Sequence, residues 1–123
     1  MLESEQITEA SLIETQKSLL PGEMIILKFT ATWCGPCNQT KTLCNTYVAK
    51  LPKNIYYYEI DIDDSIELYM SLKSKKMLNG IPALLAYYSG EKEHWYVPDD
   101  SQLGGNKQKI AEFFERCINN VTN

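Results

Sequence analysis

An apolar run of the chain leads directly into a pair of cysteines and then into a helical pattern. The run is Met24-Ile25-Ile26-Leu27-Lys28-Phe29, and shortly after it the chain reads Cys34-Gly35-Pro36-Cys37. From about Gly35 to Lys50, apolar side chains recur with the period of a helix. We therefore predict a buried strand over residues 24–31. The two cysteines follow its end and lie at the start of a helix.

A first helix and a second strand are also predicted. Leu12, Ile13, Leu19 and Leu20 indicate a short helix that ends before Pro21-Gly22. Residues 54–62 are β-branched and aromatic, which favours a strand. An aspartate-rich turn at 61–64 then leads to a helix, on which one stripe carries Ile66, Tyr69, Met70 and Lys73.

The last third of the chain predicts a hairpin and a final helix. Two strands, about 82–88 and 93–97, flank the two-residue turn signal Ser89-Gly90. A loop at 98–106 follows, and Asn106 is a candidate N-cap. The final helix has an apolar stripe of Ile110, Phe113, Phe114, Cys117, Ile118 and Val121.

This alternation predicts an α/β fold. The early strand–helix–strand order favours parallel pairing through right-handed crossovers, and the hairpin adds an antiparallel edge. We expect a central mixed sheet of about four or five strands flanked by about four helices. A short leading strand near Ile7 would be the fifth strand. The prediction is one domain over residues 1–123.

Composition excludes several classes of protein. The chain is 44% hydrophobic and 23% charged with a net charge of −4, which is typical of soluble globular proteins and argues against a nucleic-acid binder. No apolar stretch approaches the roughly 20 residues that span a bilayer. The first six residues lack the apolar segment of a secretory signal. We expect a cytoplasmic protein with neither membrane nor nucleic acid as a partner.

The spacing of Cys34 and Cys37 suits redox chemistry. A helix N-terminus favours negative charge and can lower the pKa of a thiol from about 8.5 toward 7. The alternative is half of a zinc site, but the sequence has neither a second Cys-x-x-Cys pair nor a His-x-x-x-His pair to complete it, so no metal is predicted. Cys44 and Cys117 fall on helix faces expected to be core, although a third redox cysteine at Cys44 stays open.

Three motifs together resemble the thioredoxin family. Phe29–Cys37 resembles its active site, Ile60-Asp61-Ile62-Asp63 its third-strand signature, and Gly80-Ile81-Pro82 its cis-proline loop. The resemblance covers roughly residues 5–119. It implies the thioredoxin fold and a protein-disulfide reductase that cycles between a dithiol and a disulfide with no bound cofactor. It also implies electron transport from NADPH through a flavin-dependent thioredoxin reductase, a role in cell redox homeostasis, and a monomer.

The resemblance also implies residue roles. Cys34 would be the nucleophile and Cys37 the resolving cysteine, and protein disulfides would be the substrates. The active-site turn would comprise Trp33, Gly35 and Pro36, and the substrate-binding residues would be Ile81 and Pro82. Two alternatives remain open: Trp33 as a core residue and Pro82 as an ordinary trans residue that opens a strand.

Two charged residues depart from the family pattern. Most thioredoxins carry an aspartate at the position of Lys28 and a lysine at that of Glu59. We predict a swapped ion pair beneath the active site that handles the proton of Cys37, because a buried lysine without a partner would be costly. The alternative is that Lys28 reaches solvent and leaves no proton relay.

A long stretch and a competing function complete the predictions. Residues 96–105 exceed the usual turn of the family, and either shape the substrate groove with an acidic rim or form a surface insertion.

A protein disulfide oxidase or isomerase is disfavoured by the Gly35-Pro36 dipeptide. A thioredoxin-fold interaction module or subunit, in which the dithiol is incidental, is the alternative from a different class.

Overall fold

A computed structural model describes residues 7–122, and its centre is a four-stranded mixed sheet. The strands are β1 (Met24–Thr30), β2 (Ile55–Asp61), β3 (Ala83–Tyr88) and β4 (Asp100–Leu103), in the order β2-β1-β3-β4. β1 pairs in parallel with β2 and antiparallel with β3, and β3 pairs antiparallel with β4. The predicted α/β class with a mixed sheet is thus confirmed.

Four helices cover the two faces of this sheet: α1 (Glu9–Ser18), α2 (Gly35–Val48), α3 (Ile66–Ser74) and α4 (Lys107–Thr122). Buried residues of α1 and α3 share one core with Ile25, Leu27 and Phe29. Buried residues of α2 and α4 share the other with Met24 and Ile26. Because side chains alternate along a strand, Lys28 faces the α2/α4 side.

The ends of the helices follow local sequence signals. Asn106 caps α4, since its side-chain Oδ1 accepts a hydrogen bond from Lys109 N–H at 3.0 Å. This confirms the predicted N-cap. Helix α2 ends at Val48, two residues before the predicted end. Ile7 is buried and lies outside any strand, and the residues before it, where the leading strand was expected, lie outside the described residues.

The predicted two-residue hairpin at Ser89-Gly90 is wrong. Residues 89–99 form an irregular connection, and the last strand comes at Asp100–Leu103 instead of 93–97. The aromatic residues that suggested a strand pack back against the α1/α3 core. The carbonyl of Trp95 accepts from Gln16 Nε2 at 3.0 Å, and that of Tyr96 accepts from the Tyr87 hydroxyl at 3.1 Å.

The predicted apolar stripe of α3 is also wrong in part. Tyr69 is buried as expected, but Ile66 and Met70 are 49% and 51% exposed. Leu68 and Leu72 fill the core beside Tyr69 instead. The helix is therefore rotated relative to the predicted stripe. None of the helices in residues 7–122 combines the length and apolar character needed to cross a bilayer.

Candidate active site

The two cysteines lie at the junction between the end of β1 and the start of α2. Cys34 is the N-cap of α2, with extended backbone angles, and Pro36 occupies the first turn of the helix. The Cys34 N–H donates to the Ala31 carbonyl at 3.2 Å, and the Cys34 carbonyl accepts from Asn38 N–H at 3.0 Å. The chain therefore turns sharply out of the strand and presents Cys34 at the positive end of the helix.

Cys34 and Cys37 form a disulfide, with their Cα atoms 5.2 Å apart. The backbone N–H of Cys37 donates to the Cys34 sulfur at 3.2 Å. Cys34 is 5% exposed and Cys37 2%, so the outer sulfur belongs to Cys34. One sulfur thus combines greater access to solvent with a helix N-terminus and a backbone donor, and all three favour a thiolate there in the reduced protein.

The loop before β3 faces the dithiol. The Ile81–Pro82 peptide bond is cis, as the sequence predicted. The Ile81 carbonyl oxygen lies 3.9 Å from the Cys34 sulfur. The Pro82 carbonyl in turn accepts from Gly104 N–H at 2.9 Å. The turn after β4 thereby joins the cis-proline loop at the edge of the site.

The C-terminal end of the 96–105 stretch reaches the cysteines. Its last residues reach the site, where Gly105 lies so close to Pro36 that a Cβ atom on it would stand 3.1 Å from the Pro36 Cβ. Residues 89–99 lie at the other end of the sheet, where Ser89 N–H bonds to the Glu23 carbonyl just before β1. The C-terminal end of the stretch therefore borders the active-site turn, whereas its beginning lies at the opposite end of the sheet.

Trp33 lies on the surface beside the cysteines. Its side chain is 65% exposed, which excludes the core alternative. The indole Nε1–H donates to Asp63 Oδ2 at 3.0 Å. Asp63 belongs to the aspartate-rich turn after β2, where its own N–H bonds to Asp61 Oδ1 at 2.9 Å. The sequence indicated this turn but gave no signal that it holds the tryptophan.

Lys28 and Glu59 form the predicted ion pair. They are register partners on β1 and β2, and the Lys28 ammonium lies 3.2 Å from Glu59 Oε1. The Lys28 side chain is 2% exposed and the Glu59 side chain 46%. Lys28 therefore does not extend into solvent, and its carboxylate partner Glu59 lies between the buried ammonium and the surface.

A cavity of about 160 Å³ joins this ion pair to the inner cysteine. Its walls include Lys28, Glu59 and Cys37 together with Asn38 and Lys41. The space is large enough for several water molecules. Cys37 thus shares a polar space, large enough for water, with a buried ammonium and a carboxylate.

The other two cysteines are free thiols in the core. Cys44 is 1% and Cys117 0% exposed. Burial raises the pKa of the Cys44 thiol, an effect that the nearby Lys28 charge opposes. Burial, reinforced by the Asp100 carboxylate, raises the pKa of Cys117 to about 12. Both are therefore protonated at neutral pH and resemble small apolar residues.

His94 lies away from the cysteines. It sits in the 89–99 connection and stacks on Tyr96 with a distance of 5.2 Å between ring centroids. Across residues 7–122 no group of three or more histidine, cysteine, aspartate or glutamate side chains is arranged to hold a metal ion.

The Thioredoxin family model matches residues 7–116. A thioredoxin from Ophiophagus hannah is 32% identical over 97 residues, which cover 79% of this chain and 82% of that protein. A thioredoxin from Equus caballus is 26% identical over 113 residues, covering 92% and 97% of the two chains. The relatives are thus matched over most of their length.

Solved structures show the same fold. The thioredoxin of Trichomonas vaginalis superposes with a TM-score of 0.68 at 22% identity, over 89% of this chain and 91% of that one. The thioredoxin of Fasciola hepatica gives a TM-score of 0.62 at 22% identity, over 87% and 88%. With the disulfide at a helix N-terminus and the facing cis-proline loop, the family-model match and the Ophiophagus hannah relative establish that the chain belongs to the thioredoxin family and is a protein-disulfide reductase acting by dithiol–disulfide exchange.

Proposed function

We propose that Cys34 is the attacking thiolate of this reductase and Cys37 its resolving thiol. The observation that carries this assignment is the N-cap position of Cys34, where the Cys37 N–H points at its sulfur from 3.2 Å. A charge on that sulfur is stabilised by the helix dipole and by the backbone donor. Cys37 lacks the N-cap position and is the less exposed of the two.

The exchange then runs in two steps. The Cys34 thiolate attacks one sulfur of a protein disulfide, a Cys34–substrate disulfide forms, and the other substrate sulfur leaves as a thiolate that takes up a proton. Cys37 loses its proton and attacks the Cys34 sulfur, which releases the second substrate thiol and closes the Cys34–Cys37 disulfide. Two electrons pass from this chain to the substrate.

We assign substrate binding to Trp33, Ile81 and Pro82. Trp33 offers an exposed aromatic surface beside the cysteines. The Ile81 carbonyl points toward the Cys34 sulfur, so an extended peptide that brings its disulfide to Cys34 passes along this backbone. Backbone pairing of this kind recognises an extended chain with little dependence on sequence, which suits a general reductase. Gly35 and Pro36 keep the turn between the cysteines short.

We assign the proton of Cys37 to the Lys28–Glu59 pair. The resolving step needs a proton acceptor, and the cavity between Cys37 and the ion pair gives water a place to carry the proton. Glu59 is the accessible member of the pair, and Lys28 holds its carboxylate at 3.2 Å. Glu59 would then accept the proton through water and return it to solvent.

We further propose the cellular setting that such a reductase requires. The closed disulfide must be reduced again before the next cycle, and a flavin-dependent thioredoxin reductase that draws on NADPH is the proposed electron source. The proposed location is the cytoplasm, where thiol redox homeostasis keeps proteins reduced. The proposed working form is a monomer, because one chain contains both cysteines and the facing loop.

Trapping with single cysteine variants tests the two roles. Cys37→Ser should accumulate a stable mixed disulfide between Cys34 and a protein substrate, and Cys34→Ser should neither trap substrate nor reduce it. Mass spectrometry of the trapped species identifies the bonded cysteine. A mixed disulfide on Cys37 in Cys34→Ser would reverse the assignment. Cys44→Ala, which removes a cysteine outside the proposed pair, is the matched control for these two variants. NADPH oxidation in the presence of a thioredoxin reductase and a protein disulfide tests the electron source.

A further inference from the structure

Helix α3 exposes two large apolar side chains that the core does not use. Ile66 is 49% and Met70 51% exposed, and they lie one helical turn apart. The core side of the same helix is already supplied by Leu68, Tyr69 and Leu72. About half of each side chain therefore stays in contact with solvent rather than with the core that the structure describes.

The pair lies on the helix that begins just after the turn to which Trp33 is bonded. The Trp33 indole bonds to Asp63, which stands three residues before Ile66 in the turn that opens α3. Trp33 is itself 65% exposed. We use the term α3 patch for Trp33, Ile66 and Met70. Trp33 adjoins Cys34 in the chain, and Ile66 and Met70 lie in the first two turns of α3.

Carboxylates accompany the α3 patch. Asp63, Asp64 and Glu67 are all exposed along the same turn and the first turn of the helix. The next cation on the helix is Lys73, whose ammonium lies 5.8 Å from the centre of the Tyr69 ring. An apolar surface among carboxylates is complementary to a segment that carries both apolar and positively charged side chains.

We propose that the α3 patch is a docking surface for the protein substrate, and that it favours disulfides flanked by a basic, apolar segment. The inference rests on the proposed function, since it concerns the substrates of the same cysteines. The apolar side chains supply contact area, and methionine adapts to partners of different shape. The carboxylates bias the encounter toward lysine and arginine.

The test uses three disulfides and the fully reduced protein under single-turnover conditions. Two are synthetic peptides closed by one disulfide, identical except for a flanking segment that reads Leu-Lys-Leu-Lys in one and Leu-Glu-Leu-Glu in the other. The third is the small aromatic disulfide dithiobis(nitrobenzoate), which carries no flanking peptide segment. The measured quantity is the second-order rate constant of each reaction.

The unmodified protein should reduce the basic peptide about fivefold faster than the acidic one, and added salt should narrow this preference. Ile66→Ser combined with Met70→Ser should slow the basic peptide by about fivefold, as loss of apolar contacts at an interface does. The rate with dithiobis(nitrobenzoate) should not change. Glu67→Lys should remove most of the preference between the peptides.

Matched controls lie at other places on the surface. Leu20→Ser with Val97→Ser removes two exposed apolar side chains at the other end of the sheet, and Glu115→Lys makes the same charge change on α4. Equal effects of the control and test variants would overturn the docking proposal, as would equal rates for the two peptides. Failure of the unmodified protein to reduce even dithiobis(nitrobenzoate) would instead overturn the proposed function.

Discussion

Lys28 and Glu59 occupy paired positions on the parallel strands β1 and β2, with the ammonium 3.2 Å from the carboxylate. Lys28 is buried and Glu59 is half exposed. The pairing places the Lys28 ammonium in the layer between the sheet and α2. Glu59, at the edge of that layer, is the carboxylate that balances its charge.

This asymmetry predicts unequal effects of removing either partner. Glu59→Gln should lower the free energy of unfolding by about 1–2 kcal/mol, because the buried ammonium loses its counter-charge while half of the carboxylate was already solvated. Lys28→Met should change it by less than about 1 kcal/mol, since an apolar side chain of similar volume replaces the charge. Urea unfolding of both oxidised variants measures the difference. Equal losses would contradict the asymmetry.

The proton relay predicts an effect on one chemical step. Glu59→Gln should slow resolution of the mixed disulfide by about tenfold or more, the usual scale for loss of a general base. Attack by Cys34 should be unaffected, because that sulfur is stabilised by the helix and by Cys37 N–H. Stopped-flow kinetics separates the two steps.

Two further variants sharpen the relay experiment. Glu59→Asp keeps a carboxylate at the cavity and should retain most of the resolution rate. Lys28→Met removes the group that holds the carboxylate, so resolution should slow in this variant too. Resolution at the original rate in both Glu59→Gln and Lys28→Met would exclude the relay.

The sequence predicted the centre of the site because its signals there are local. The Cys34–Cys37 spacing and the apolar run before it each predict a short piece of backbone, and the structure has both pieces as predicted. The cis Ile81–Pro82 bond followed instead from the resemblance of Gly80-Ile81-Pro82 to the loop of the family. The Lys28–Glu59 pair was predicted from the reversal of charge relative to the thioredoxin family, and the parallel register of β1 and β2 makes the two residues neighbours.

The sequence failed where distant packing decides the outcome. The β-branched and aromatic residues at 93–97 have strand propensity, but Trp95 and Tyr96 gain more by covering the α1/α3 core than by extending the sheet. The stripe on α3 was ambiguous because Leu68 and Leu72 compete with Ile66 and Met70 for the same core. No local signal ranks such alternatives.

The edge strand β4 depends on a contact with α4. The Arg116 guanidinium donates to both oxygens of Asp100, at 2.9 Å from Nε and 3.0 Å from Nη2. Arg116→Lys should lower the free energy of unfolding by about 0.5–1 kcal/mol, because lysine cannot make the two-pronged contact. Amide hydrogen exchange in β4 should accelerate. Lys109→Met removes a positive charge from the same helix and should leave the exchange rates in β4 unchanged. Faster exchange in β4 of the Lys109→Met variant would contradict the assigned Arg116–Asp100 contact.

The buried Cys117 thiol predicts a loss of stability at high pH. Burial raises its pKa to about 12 in the folded chain, so between about pH 9 and 12 the unfolded chain loses this proton while the folded chain keeps it. The unfolded state then binds fewer protons, and the free energy of unfolding falls by up to about 1.4 kcal/mol per pH unit from this group.

Comparison with Cys117→Ala isolates that contribution. The variant should be less stable at pH 7 by about 1–2 kcal/mol, because it leaves a small cavity, and this loss does not depend on pH. Burial also raises the pKa values of Tyr57 and Tyr87, but those groups are present in both proteins and cancel in the difference. The gap between the two proteins should therefore close above pH 9, measured by urea unfolding from pH 7 to 10.5. A constant gap across that range would mean that the Cys117 thiol ionises as readily in the folded chain as in the unfolded one, and hence that the α4 core admits water.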